Sequence, residues 1–116
     1  MTMDPKLKAK IRAELFRCAI EGKFLSYQDF YKRLRPNGKM GVFPWISHFD
    51  VIAREETSNG YPDITFMVHQ SGPKPNYPGQ VDFKRMNPKD AQQVNFLRRG
   101  TDKLIALYCP GTPNPY

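Results

Sequence analysis

The chain reads as an α+β domain: three helices, a short β-hairpin, and a C-terminal helix packed back on the first. Three observations point there. Apolar residues recur at helical spacing in four separate stretches. One stretch, Asp63 to His69, alternates apolar and polar side chains in the manner of a half-buried strand. Turn chemistry separates the stretches, at Gly22, Pro36-Asn37-Gly38, Asn59-Gly60 and the proline-rich run 71–79. A length of 116 residues fits one domain, over residues 1–109, with a proline-rich tail at 110–116.

Asp4-Pro5 starts the first helix, because Asp caps and Pro suits the first helical position. Leu7, Ile11, Leu15, Cys18 and Ala19 form its apolar side, and Gly22 supplies a left-handed stop after residue 21. Ser26 opens the second helix, with Asp29 three positions on as a weak capping box. Tyr27, Phe30, Tyr31 and Leu34 are its buried stripe. The third helix begins near Phe43-Pro44 and buries Trp45, Ile46, Phe49, Ile52 and Ala53. Asn59-Gly60 closes it, and the strand 63–69 follows. Residues 71–79 hold three Pro and two Gly, which excludes helix or regular strand. They lead to Val81-Asp82-Phe83, the expected hairpin partner. Asn87-Pro88 starts a fourth helix over 88–108, with Gly100 as a point of kinking, and the tail is an extended surface segment.

Composition narrows the function classes. The net charge is +7, and it is uneven: +6 over residues 1–40, −2 over 41–80 and +3 over 81–116. Basic ends around an acidic middle favour an anionic partner, either nucleic acid or an acidic protein. Cys18 and Cys109 are too few for a disulfide framework or a zinc site. Cys18 falls on the apolar side of the first helix, as a buried inert thiol would, while a Cys18–Cys109 bridge stays open. No signal-peptide pattern or membrane-spanning run is visible, so a soluble cytoplasmic protein is expected.

Two segments carry a resemblance. Gly22-Lys23-Phe24-Leu25-Ser26-Tyr27-Gln28-Asp29-Phe30 and Ile52 to Val68, through Glu56, Gly60, Pro62 and Thr65, are similar to the helix-turn-helix start and the helix-to-strand passage of small winged helix-turn-helix domains. Gly72 and Tyr77-Pro78-Gly79 are similar to the loop that often follows there. Such domains occur in bacterial, phage and plasmid proteins. The resemblance implies a small DNA-binding or regulatory protein whose third helix approaches the major groove and whose loop 71–79 is the wing. It also extends to the DNA-binding half of O6-alkylguanine DNA alkyltransferases. Their nucleophilic cysteine is missing at Tyr61-Pro62-Asp63-Ile64, so alkyl transfer is not implied.

On this reading the phosphate contacts come from Lys32, Arg33, Arg35, Lys39, Lys74, Lys84 and Arg85, with Ser47, His48 and Arg54 near the groove. Ser47, His48, Val51, Arg54, Glu55 and Ser58 are expected to face solvent. The third helix is a poor reader by charge, since Asp50, Glu55 and Glu56 outnumber Arg54. A non-enzymatic module that binds an acidic protein or a host nucleoprotein complex is therefore the alternative, and homodimerisation is open. A third reading takes Pro62-Asp63 with Asp82 and Lys84 as a loose metal-dependent nuclease pattern, the carboxylates holding Mg²⁺ and the lysine positioning water. Asp63 has a simpler role as a turn residue. His48 and His69 have no cysteine at ligand spacing, so no metal or other cofactor is expected. Trp45 and Phe43 are core residues by spacing, and Tyr77 is the better exposed contact.

Overall fold

The computed structural model describes residues 5–34, 46–69 and 91–115. Within them the chain is mostly helical, with four helices and one two-stranded parallel sheet. Helix α1 spans Pro5–Glu21. Its residues Ile11, Leu15, Cys18 and Ala19 recur on one side and are buried, as helical periodicity demands. Gly22 ends it at φ 69°, a conformation that a side chain would strain. The amides of Gly22 and Lys23 donate back to the carbonyls of Ala19 and Cys18 at 3.2 and 3.0 Å, closing the last turn.

Strand β1 is only Leu25–Ser26, and helix α2 follows at once over Tyr27–Leu34. Ser26 Oγ accepts the amide of Asp29 at 3.2 Å, so the expected cap is present. Phe30, Tyr31 and Leu34 are buried. Helix α3 spans Ile46–Ser58 and buries Phe49, Ile52 and Ala53. It stops at Gly60, φ 84°, where the Gly60 and Tyr61 amides donate to the Thr57 and Glu56 carbonyls. Phe30 meets Phe49 edge-on with ring centroids 5.7 Å apart, which joins α2 to α3.

The expected strand 63–69 is corrected. Ile64–Met67 forms a 3-10 helix, and only Val68–His69 is strand, β2. Asp63 causes this. Its carboxylate accepts the Thr65 amide at 2.9 Å and the Thr65 hydroxyl, which winds the chain into a turn. Ile64, Thr65, Phe66 and Met67 are then all buried, instead of alternating between core and solvent. Strand β2 pairs in parallel with β1, Leu25 opposite Val68 and Ser26 opposite His69. The 3-10 helix lies at the centre, in contact with α1, α3 and α4.

Helix α4 spans Ala91–Tyr108 and packs on α1, where Phe16 and Tyr108 meet edge-on at 5.6 Å. It runs unbroken through Gly100, so the helix is not split there. A Cβ at this position would stand 2.6 Å from Phe66 Cε2, so glycine is there to admit the ring. The tail turns back rather than leaving. Asn114 donates to the Arg98 carbonyl at 3.0 Å and to Asp102 at 2.8 Å, and Thr112 lies against Gly22. The cap at Asp4, the turn 36–38, Phe43 to Trp45, the loop 71–79, the hairpin partner 81–83 and the helix start at 88 lie outside the described residues.

Gly100→Ala tests the packing role. On propensity alone it would stabilise α4 by about 1 kcal/mol. Against Phe66, which is buried, the expected result in urea unfolding is a net loss of about 1–2 kcal/mol.

Candidate nucleic-acid interface

Charge is sorted by depth. Glu14 and Glu56 are buried, and Asp50, Glu55 and Asp63 are half-buried. Among the described residues only Glu21, Asp29 and Asp102 are exposed carboxylates, and Glu21 is paired with Arg33. The exposed cations are Lys6, Lys10, Arg17, Lys23, Lys32, Arg54, Arg98, Arg99 and Lys103. The described surface is therefore more cationic than its sequence, because folding turns most carboxylates inward.

Two ion-pair clusters hold them there. The first joins α1 to α3. Lys8 Nζ lies 2.8 Å from Glu55 Oε2, Arg12 also pairs with Glu55, and Arg12 Nη1 lies 3.5 Å from Glu56. The hydrogen bond from Lys8, with the nearby charges of Lys8 and Arg12, holds the Glu55 carboxyl below its ordinary pKa. The second joins α1 to α2. Arg33 reaches Glu14 at 2.9 Å and Glu21 at 3.0 Å, while Arg17 stands 3.5 Å from Glu14. Arg33 raises its own pKa through the bond to Glu21 and lowers that of Glu21. The buried Glu14 carboxylate has two guanidinium partners, as charge burial requires.

These clusters change the expected site. Arg33 is a structural bridge between helices. Arg54 is exposed and paired with Asp50 at 3.1 Å, one turn away on α3. His48, expected to face solvent, is 1% exposed and stands in the core, a correction to that expectation. Val51 and Glu55 are half-buried rather than solvent-facing, while Ser58 is exposed. Lys32 is exposed. The side chain of Ser47, and Arg35, Lys39, Lys74, Lys84 and Arg85, lie outside the described residues. Hence the outward side of α3 holds one cation, already paired, and the structure does not gather the described members of the expected set around it.

Sequence reasoning missed the burial of Glu14, Glu56 and His48. The signal was present. Glu14 sits between Ile11, Leu15 and Cys18 at i+3 and i+4 spacing, and His48, Ile52 and Glu56 follow one another every four residues on the apolar side. A polar residue in an apolar stripe asks for a partner on the facing helix.

The remaining chemistry is structural. Cys18 and Cys109 are free and buried, so the open bridge is absent. Burial pushes the Cys18 thiol up to about 11, against the opposing pull of Arg33, whose Nη1 is 3.4 Å from Sγ. Asp63 uses its carboxylate as a turn cap, as above. No group of three or more His, Cys, Asp or Glu able to hold a metal occurs among the described residues. No helix among them is long and apolar enough to cross a membrane.

Arg33→Met is expected to lower stability by roughly 2 kcal/mol, since Glu14 loses a partner, whereas Lys32→Met should stay within about 0.5 kcal/mol. Urea titration compares the two. Acid should also act through Glu21 and Glu55. Their pKa values are depressed in the folded chain, so the stability they contribute is complete above the ordinary glutamate pKa of about 4.3. It is lost as pH falls through the lower folded values. Glu55→Gln should flatten that part of the pH–stability curve. Cys18 should resist a thiol reagent at pH 8 in the folded state and react once the chain is unfolded in urea.

Comparison with family models, curated proteins and solved structures finds no match to this chain.

Proposed function

We propose that this chain is a small basic nucleic-acid-binding protein that captures phosphates through its exposed cations and reads base sequence weakly. The observation that supports this is the depth sorting of charge. Inward carboxylates are neutralised by Lys8, Arg12, Arg17, Arg33 and Arg54, while Lys6, Lys10, Lys32, Arg98, Arg99 and Lys103 are exposed. A surface of this kind attracts a polyanion from a distance and holds it by releasing counterions. The element order, α1, β1, α2, α3, the 3-10 helix, β2 and α4, is loosely compatible with the α+β class, and within that class we read a variant of the winged helix-turn-helix. Weak sequence reading follows from α3, whose one outward cation is paired with Asp50.

A second reading, the non-enzymatic protein-interaction module, draws on exposed apolar side chains. Ile20 is 67% exposed and Leu107 51%, residues that a protein partner would cover. Its partner would be an acidic protein or a nucleoprotein complex. Metal-dependent cleavage is the weakest reading, because Asp63 already serves as a cap.

Fluorescence anisotropy on labelled duplex and single-stranded oligonucleotides separates the first two readings. The expected result is binding at 50 mM salt whose log affinity falls linearly with log salt, by several powers, and differs little between sequences. Absence of binding to any oligonucleotide at low salt, with capture by an acidic polypeptide, would favour the protein module and end the nucleic-acid proposal.

A further inference from the structure

We infer that the face of α4 around Phe96 takes single-stranded nucleic acid, with one base stacked on the Phe96 ring and backbone phosphates on Arg99 and Lys103. The inference rests on the nucleic-acid reading above and narrows it to a strand whose bases are open. Phe96 is 59% exposed, although its ring carries no polar group to hydrate. Arg99 and Lys103 follow at i+3 and i+7, so all three lie on one face of the helix, and both cations are exposed. At 1.5 Å per residue the cations stand about 4.5 and 10.5 Å along the axis from the ring. A strand with one phosphate per ~3.4 Å passes about three phosphates over that length. Leu107, also exposed, continues the face by one more turn.

Charge alone does not single out this face, because α1 and α2 also carry exposed cations. The exposed ring among the cations does. On α1 the exposed large apolar residue is Ile20, which offers no π-face. Tyr61 is the other exposed aromatic among the described residues. Its chain neighbours Asn59, Gly60 and Pro62 are uncharged, and Glu55 and Glu56 precede them. Asp102 is turned a third of a revolution away from Phe96 on α4, towards the tail, where Asn114 donates to it at 2.8 Å. Arg98, four residues before Asp102, belongs to that side and not to this face. Arg99 donates through Nε to the Asn95 carbonyl at 3.3 Å, which holds its guanidinium against the helix. Bases in a duplex stack on one another and are closed to the ring, whereas a single strand offers its base faces. Stacking also tolerates any sequence, in keeping with weak base reading.

The test uses the full chain with Phe96→Leu, which keeps an apolar helix former and removes the ring, and with Tyr61→Leu as the control. Circular dichroism checks that each variant retains its helices. Anisotropy then follows a labelled single strand, and the duplex made from it, across a salt series. Phe96→Leu should weaken single-strand binding by about 5- to 100-fold, with the log–log salt slope and duplex binding unchanged. Tyr61→Leu should bind as the wild type does. Arg99→Gln/Lys103→Gln should reduce the single-strand slope by about 1.4, the loss of two phosphate contacts. Wild-type affinity for single strand in Phe96→Leu, an equal loss on duplex, or an unchanged slope in the double variant overturns the assignment. Polyglutamate binding that falls in Phe96→Leu while single-strand binding holds would give the face to a protein partner and overturn it too. Salt-dependent binding by the wild-type chain keeps the underlying reading in each of these cases. If the wild-type chain binds no oligonucleotide in a salt-dependent manner, that reading itself has failed.

Discussion

The structure depends on how α1 handles charge on two sides. One side of this helix is apolar and forms the floor of the core through Ile11, Leu15, Cys18 and Ala19. Lys8 and Arg12 flank that floor and meet Glu55 and Glu56 of α3. Burying a carboxylate without a partner would cost several kcal/mol. The acidic middle of the chain can therefore fold inward only because the basic first helix receives it. The charge asymmetry along the sequence is first a folding device. The excess left outside is what a partner meets.

Position decides which cations serve which purpose. On α1, Lys8 and Arg12 beside the apolar stripe reach the carboxylates of α3, while Lys10 on the outward side is exposed. Arg33 illustrates the first case from α2. Its guanidinium satisfies Glu14 and Glu21 at once, and its fork suits two carboxylates better than a lysine would. Lys32, its neighbour in sequence, points away and is exposed. Two adjacent basic residues thus belong to different parts of the account, a distinction that composition cannot make.

Much of the helical framework was legible. The boundaries of α1, the Ser26 cap and the Gly60 stop follow from local chemistry, where one residue's conformation or hydrogen bond decides the outcome. The strand at 63–69 was misread because alternation assumes one wet face. Here α1, α3 and α4 enclose Ile64 to Met67 on all sides, and the Asp63 cap sets the turn. Strand β1 has two residues, too short to carry a period. Gly100 looked like a helix breaker, but it answers to Phe66, a neighbour that only tertiary structure supplies. The cationic set was legible as residue types. Which members face solvent was not, because neutralisation of Arg33 depends on how α1 and α2 pack.

Surface potential measured residue by residue tests the account most directly. Amide proton relaxation by an anionic and a cationic nitroxide, compared at each position, reports the local potential in solution. The account predicts strong enrichment of the anionic probe along residues 6, 10, 13 and 17 and little preference along residues 54 to 58. Equal enrichment along both helices, or a preference for the cationic probe on α1, would contradict it.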